Sequence, residues 1–522
     1  MDRKKAAINI FTSLFFKIIL LVLTLLSRRF LVIELGDEAN GLYSLYVSII
    51  GFLSVAELGV GTAITFSMYK PIIDNDTKKI SSLYYLFKKV YLIIGSVITI
   101  VGLIILPFLP FLAKDTTGTY NIYIGYILFL LSTVLTYFYA YKTSLINAYK
   151  NNYVTTTIRS SSQIFESLLQ IFILVYFKSF ELFFMSIVLS NLIQWIITNY
   201  VFKKHYRSKI IFYKHIDEDL KTEVINNTKA MFSHKIGGLL VVTLNSVIIG
   251  AFIGVIILGR YTNYITILSG VSSLLSLGFA AITSILGHSY ASNPKNIFHN
   301  QFKMIYTINF IVAVVFYLGF LAIADNVISI IFSDQSIIER NIVVTLTINY
   351  FIQFMRQSTL VFKDASGTFY KDRHKPIFEG VINLTLSLIL VNILGINGIL
   401  IATIITNLTI CHTIEPYVLH KYGFEDKPKG YYTLNYSLIA IFIGFVYIYE
   451  HFQNFYNDNK YIDLVVNGSL SIVYSMVILI ICYVFIKPFR TQVHNIIKYL
   501  KNIVISLTKK NHNRKKNKGK LL

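Results

Sequence analysis

The sequence is short of most things a water-soluble protein needs. Only 14% of its residues are charged, where a soluble globular domain carries about 25%. That leaves too little polar surface to cover a globule of 522 residues. Cysteine is limited to Cys411 and Cys482, both inside apolar runs, which excludes a disulfide framework and a zinc-ligand spacing. No G-x-x-x-x-G-K-[ST] stretch occurs, so the chain does not power itself with ATP. Acids are scarce beside bases, 26 against 48, for a net charge of +22. The opening MDRKK and the apolar run after it are laid out like a signal peptide. Ser27-Arg28-Arg29 stands where a small-residue cleavage site would fall, so the run is expected to be a retained first span.

What the sequence has instead is apolar runs of roughly 20 residues from end to end, each long enough to cross a hydrocarbon core of about 30 Å. The alternating ten-residue strands of an outer-membrane barrel are missing. The reading is an all-α polytopic membrane protein. Fourteen spans are expected, at 8–33, 42–68, 90–112, 121–147, 160–177, 182–201, 230–253, 261–287, 304–332, 341–362, 377–392, 398–418, 432–449 and 463–486. The loops between them alternate in character. One set is basic: 1–7, 70–89, 148–159, 202–229, 288–303, 363–376, 419–431 and 487–522. The other is short and poor in cations, as in ELGDEAN at 34–40. The first set holds 37 of the 48 Lys and Arg residues and the second holds 5. The positive-inside rule therefore puts both termini in the cytoplasm. The excess charge is a topology signal and an attraction to anionic phospholipids, and it disfavours nucleic acid as a partner. In the tail, Val493, Ile496, Ile497, Leu500, Ile503, Val504 and Leu507 fall on one helical face with Lys498 and Lys501 opposite. An interfacial helix with a polybasic end is expected there; the alternative is a disordered tail.

The chain also repeats itself. GLYSLY at 41–46 returns as GRYTNY at 259–264, 218 residues later, each time opening a span that closes on Leu-Gly. A weaker echo pairs Ile-Phe-Glu at 164–166 with the same tripeptide at 377–379, so that Glu166 matches Glu379. The spacing predicts two six-helix bundles in a parallel, pseudo-two-fold repeat. Their expected extents are 1–215 and 216–425, followed by two extra spans in 426–490 and a cytoplasmic amphipathic helix and basic tail in 491–522. Two such bundles enclose a cavity suited to alternating access.

A charge at the centre of a bilayer costs roughly 2.5–3.5 kcal/mol on insertion scales, so charged residues in spans tend to face water or a partner. Lys17 is mid-span in the first helix, with Arg28 and Arg29 toward its outer end. Glu57 is central in the second, Lys142 lies in the inner part of the fourth, and Glu166 is in the fifth. His234 and Lys235 open the seventh, Asp325 is near the outer end of the ninth, and Arg356 is inside the tenth. Cations outnumber acids, which suits an anionic cargo such as phosphate or a uronic acid. The alternatives are that Arg28, Arg29, Lys235 and Lys363 snorkel to headgroups, and that the deeper charges form structural pairs. Glu57 either exchanges H⁺ or Na⁺ or neutralises a cation such as Lys17; Gly51, Gly59 and Gly61 beside it permit the close helix approach that pairing needs.

FLVIELGDEANGLYSLYVSIIGFLSVAELGVGTAITFSMYKPI at 30–72 resembles the first two spans of Wzx-type polysaccharide repeat-unit flippases of the multidrug/oligosaccharidyl-lipid/polysaccharide exporter superfamily. FSHKIGGLLV (232–241), FMRQSTLVFKDASGTFYKDRHKPIFEGVINL (354–384) and EPYVLHKYGF (415–424) resemble the versions in Gram-positive capsule and exopolysaccharide loci. The resemblance implies a V-shaped transporter of the bacterial cytoplasmic membrane. Its cargo would be an undecaprenyl-diphosphate-linked oligosaccharide, flipped from inner to outer leaflet through a cationic cavity, with a polysaccharide polymerase and a chain-length regulator as partners. It implies no cofactor beyond H⁺ or Na⁺ coupling. The implied roles carry over to Arg356, Lys363, Asp364, Arg373, His234 and Lys235, with Asp364 joining Glu57 and Glu166 as carboxylates for coupling. One departure is Asn245, where family members often have an acid. The alternatives are a lipid II flippase or a drug/cation antiporter of the same superfamily, and, in a different class, a polytopic glycosyltransferase or polymerase. The absence of any large outer loop and the two equal halves speak against the enzyme.

Overall fold

The structure is a computed structural model and describes residues 3–57, 60–213, 222, 243–452, 459–499 and 501. Among the described residues every regular element is helical. In chain order they are α1 (Arg3–Leu53), α2 (Val60–Ile73), α3 (Thr77–Leu112), α4 (Ile122–Ala148), α5 (Asn152–Tyr176), α6 (Phe180–His205) and α7 (Thr243–Ile253). They continue with α8 (Val255–Ser292), α9 (Lys295–Ile331), α10 (Arg340–Met355), α11 (Gln357–Ser366), α12 (Lys375–Leu394), α13 (Ile396–Phe424), α14 (Lys429–Phe452) and α15 (Lys460–Phe485).

Eight of these, α3, α4, α6, α9 and α12–α15, are long and apolar enough to cross a membrane. They coincide with eight of the fourteen expected spans. The other six fall on α1, on α1–α2, and on α5, α7, α8 and α10–α11, with residues 230–242 outside the described set. The chain is a multi-pass membrane protein. The tail is helical through 487–499, and the rest of the expected interfacial helix lies outside the described residues apart from Lys501.

Three local features differ from the expected spans. The outer loop expected at 34–40 is a single kink: α1 runs through it with only Gly36 leaving helical geometry, at φ 84° and ψ 174°. A side chain at that φ would be strained, and glycine is not. The span expected at 42–68 is broken at its middle, where Ser54–Glu57 tightens into a 3-10 turn before α2 begins. Glu57 thus sits at a helix break. The span expected at 341–362 is divided at Arg356, whose N–H bonds back only three residues, to Gln353 O.

The ends of the helices are set by local chemistry. The Asp76 side chain caps α3 by accepting from Lys79 N, and Asn121 caps α4 through Tyr123 N and Ile124 N. Lys203, Lys204 and His205 close the last turn of α6, where cations favour the helix dipole. Where α7 passes into α8, Gly254 takes φ 131°. Backbone groups freed near that break are met by Lys114, whose N–H donates to Gly250 O and whose carbonyl accepts from Val255 N. Such satisfaction is what irregular backbone within a membrane requires.

The chain divides into two compact units. The first comprises Met1–Gly270, Ile328–Glu339 and Arg373–Thr403. Its core is aromatic: Tyr46 meets Tyr126 and Phe184 at ring distances of 5.6 Å, and Phe184 meets Phe180 at 4.9 Å. In it the two copies of the repeated motif touch. A Cβ on Gly41 would lie 1.8 Å from Val255 O, and one on Gly259 would lie 2.0 Å from Asp37 O. Residues 37 and 255 are themselves 218 apart, so the contact is reciprocal, as a local two-fold requires. The second Tyr of each copy, Tyr46 and Tyr264, is fully buried. Beside the crossing, Asn40 Nδ2 donates to Gly259 O at 2.8 Å and to Asn263 Oδ1 at 2.9 Å.

The second unit comprises Val271–Val327, Arg340–Asp372 and Ile404–Leu522. Phe351 stacks on Phe442 at its centre. Phe298, Phe302, Phe362, Phe424 and Tyr431 form a further ring cluster.

Candidate functional site

The first unit brings two of the expected site residues, Arg28 and Glu166, near one polar cluster. Arg28, half-buried on α1, donates to Thr266 Oγ1 at 2.5 Å and, more weakly, to Thr262 O and Ser44 Oγ at 3.5 Å. Its guanidinium carbon lies 5.5 Å from the Tyr43 ring centre. Every one of these partners is neutral. Tyr43 is within electrostatic reach of both Arg28 and Glu166. The Glu166 carboxylate lies beside Ser190, whose hydroxyl donates to Ser162 O at 3.0 Å, and accepts from Gln170 Nε2 at 3.5 Å. The Gln170 amide oxygen in turn accepts from Ser27 Oγ at 2.6 Å. The arrangement can hold an anion at Arg28 and a proton or cation at Glu166, with Tyr43 between them.

Glu166 and its repeat partner differ in a telling way. Glu379 pairs with Lys375 four residues before it, at 2.7 Å, and both are buried. The residue four before Glu166 is Ser162. The first copy therefore keeps the acid and lacks the built-in counter-charge.

The remaining expected residues are placed as follows. Arg29 donates to Ile330 O at 2.6 Å and to Ile331 O, the terminal carbonyls of α9, where a cation meets the negative end of the helix. Lys142 donates to Asn199 Oδ1 and lies 5.4 and 5.5 Å from the Tyr141 and Phe202 ring centres. Lys17 is half-buried on α1, roughly three turns before Arg28. Glu57 hydrogen-bonds the Tyr137 hydroxyl and lies near Tyr91. The hydroxyl of Tyr91 would be 2.8 Å from a Cβ on Gly61, so the close approach expected beside Glu57 admits a tyrosine. His234 and Lys235 fall outside the described residues.

In the second unit, Arg356 makes a bidentate pair with Glu415 at 3.1 and 2.7 Å and donates to Asn407 Oδ1 at 2.7 Å. Lys363 pairs with Asp372, both almost fully buried. Asp364 is exposed on α11, and its carbonyl accepts from Gly367 N. Arg373 belongs to the first unit and donates to His374. Asp325 accepts from Arg340, which also grips Glu450 at 2.9 and 2.7 Å.

Several partners were not singled out in the sequence: Gln170, Ser190, Glu415, and Arg260, which pairs with Asp37 at 3.1 Å, a carboxylate that also accepts from Ser336 at 2.9 Å. Burial pushes the Asp37 carboxyl above its usual range, against the pull of Ser336 and Arg260. An acid beside the repeated Gly-x-Tyr motif and an Arg inside its second copy were the available signal.

No protein-family model matches the chain, and no curated protein matches it in sequence. Solved structures do match in fold. The lipid II flippase MurJ in an inward closed conformation superposes with a TM-score of 0.64 at 12% identity, covering 90% of this chain and 98% of that one. An inward-facing multidrug resistance MATE family transporter of the MOP superfamily gives 0.63 at 15% identity, covering 77% and 94%. A MATE protein in a bent conformation gives 0.50 at 16%, covering 85% and 97%. The chain therefore has the polytopic fold of MATE and MurJ transporters.

Proposed function

We propose that this chain is a flippase that moves an undecaprenyl-diphosphate-linked oligosaccharide across the cytoplasmic membrane by ion-coupled alternating access. The observation that carries this reading is Arg28, a half-buried cation whose partners are all neutral. Such a group keeps its full charge for a ligand. A diphosphate accepts charge-assisted hydrogen bonds from a guanidinium, in the geometry that makes Arg a strong phosphate binder. The lipid tail stays in the bilayer while the headgroup and glycan occupy the polar cluster. Glu166, lacking the lysine that neutralises Glu379, takes up and releases H⁺ or Na⁺ to reset the cycle. The fold likeness to a lipid II flippase supports a lipid-linked saccharide as cargo.

The likeness to multidrug MATE transporters favours a second reading, a drug/cation antiporter, on fold alone. Arg28 among neutral partners supports the anionic cargo over that reading, since a cation carrier needs surplus acid there.

The test is translocation in proteoliposomes containing the lipid-linked oligosaccharide. The wild type should deliver glycan to the opposite face. Loss of one hydrogen bond to a charged group costs about 1.5–3 kcal/mol, so Arg28→Ala should lower the rate on the order of tenfold or more, and Arg28→Lys should retain part. Glu166→Gln should remove the dependence on an imposed ion gradient. A wild type that moves no glycan, or an Arg28→Ala variant as fast as wild type, overturns the reading.

A further inference from the structure

A groove lies on the first unit, away from the Arg28 cluster. It has a volume of about 850 Å³ and runs along the outer face of α3, with Phe212 on its flank. Lys88 and Lys89 stand at one end, followed by Leu92, Ile93, Val97 and Ile100. These recur at helical spacing on one face, and all six are exposed. The Tyr85 ring, at the lysine end, meets Phe212 edge-on at 6.0 Å. From the lysines to Ile100 is about 17 Å along the helix at 1.5 Å per residue. That is close to one leaflet of a hydrocarbon core about 30 Å thick.

The charges at the lysine end are in surplus. Lys142 on α4 lies within electrostatic reach of both Lys88 on α3 and Lys203 on α6. Among the described residues no carboxylate forms an ion pair with any of the three, or with Lys89. Like charges gathered at the edge of a low-dielectric medium repel, and an anion placed among them relieves the repulsion. The groove thus offers a cationic end for a phosphate and an apolar trough one leaflet long for an acyl chain.

We propose that this groove is a binding site for an anionic glycerophospholipid, with its phosphate at Lys88 and Lys89 and one acyl chain along Leu92–Ile100. The site needs no cargo and stands apart from the flippase reading. Its length favours a membrane phospholipid over a polyprenyl carrier, whose chain would overrun the trough.

Purified full-length protein, delipidated and then given equal amounts of phosphatidylglycerol and phosphatidylcholine with the same chains, tests this by native mass spectrometry. A cation near a membrane surface is worth roughly fivefold in affinity for anionic lipid. The wild type should retain phosphatidylglycerol over phosphatidylcholine on the order of tenfold or more. Lys88→Gln with Lys89→Gln should bring the ratio near one, and Lys88→Arg with Lys89→Arg should preserve it, which also shows that the site folds. Val97→Trp, which fills the trough, should reduce retention of both lipids. Equal retention by the wild type overturns the proposal. So does a ratio untouched by the glutamine pair but abolished by Lys509, Lys510, Lys515 and Lys516→Gln, which would move the selectivity to the tail. Displacement of phosphatidylglycerol by an equimolar amount of undecaprenyl phosphate would make the groove a carrier site and likewise overturn it.

Discussion

Three expected site cations of the first unit are held differently from three cations of the second. In the second, Arg340 is held by Asp325 and Glu450, Arg356 by Glu415, and Lys363 by Asp372. In the first, Arg28, Arg29 and Lys142 rest on hydroxyl, carbonyl and amide oxygens and on aromatic rings. The first unit's carboxylate-paired cations named above, Lys375 and Arg260, lie in other places, Lys375 beside Glu379 and Arg260 beside the repeated-motif crossing. A buried cation with a carboxylate already on it is part of the scaffold. One that rests on neutral oxygens retains charge that a ligand can use. The same residue type in the same kind of helix therefore does different work, and the neighbour decides which.

The sharpest way to break this contrast is to remove one side of a scaffold pair. Arg356→Ala or Glu415→Gln removes a buried charge's counter-charge, which costs about 3–5 kcal/mol. Thermal unfolding in detergent should register that loss for either single variant, while the double variant Arg356→Ala/Glu415→Ala should recover part of it. A single variant as stable as wild type would remove Arg356 from the scaffold and reopen its role as a cargo ligand.

Next in size are the crossing glycines. Gly41→Ala and Gly259→Ala each drive a methyl into a backbone carbonyl. Overpacking of this kind costs about 1–3 kcal/mol. Gly278→Ala, with nothing within 4 Å of its new carbon, should stay within about 0.5 kcal/mol as a surface change. Equal stability for all three would mean that the reciprocal contact is not a packing constraint.

Arg28→Ala makes the complementary case in the first unit. It should slow translocation on the order of tenfold while shifting the unfolding midpoint far less than Arg356→Ala does, because no buried carboxylate is left behind. A loss of stability as large as that of Arg356→Ala would place Arg28 with the scaffold.

The smallest effect is expected at the helix ends. Asn121→Ala should cost about 1 kcal/mol through the lost cap on α4, with transport per folded molecule unchanged. Unaltered stability would show that tertiary packing of α4 carries its N-terminus without the cap.

Much of the fold was legible in one dimension. All fourteen expected spans fall on helices wherever the chain is described, and the repeat at Gly41 and Gly259 marked a real contact. The differences share a cause. The composition of 34–40 suggests a loop, but one glycine at positive φ, Gly36, turns the helix without one. The stretch through Glu57 looks continuous in hydropathy, which does not register a 3-10 turn. The partner of Arg356, Glu415, is 59 residues away in sequence, beyond the reach of any local pattern.

What the sequence determined by itself is the class of molecule. Run length, hydropathy and loop charge are local quantities, and the bilayer reads them locally, through its thickness and its aversion to charge. What only the tertiary structure decided is which charges are free. Pairing Arg356 with Glu415, seating Arg29 on the last carbonyls of α9, and leaving Arg28 among neutral oxygens all depend on helices distant in sequence coming within 3 Å or so of each other. The energy of a buried charge is set by those neighbours rather than by its own place in the chain.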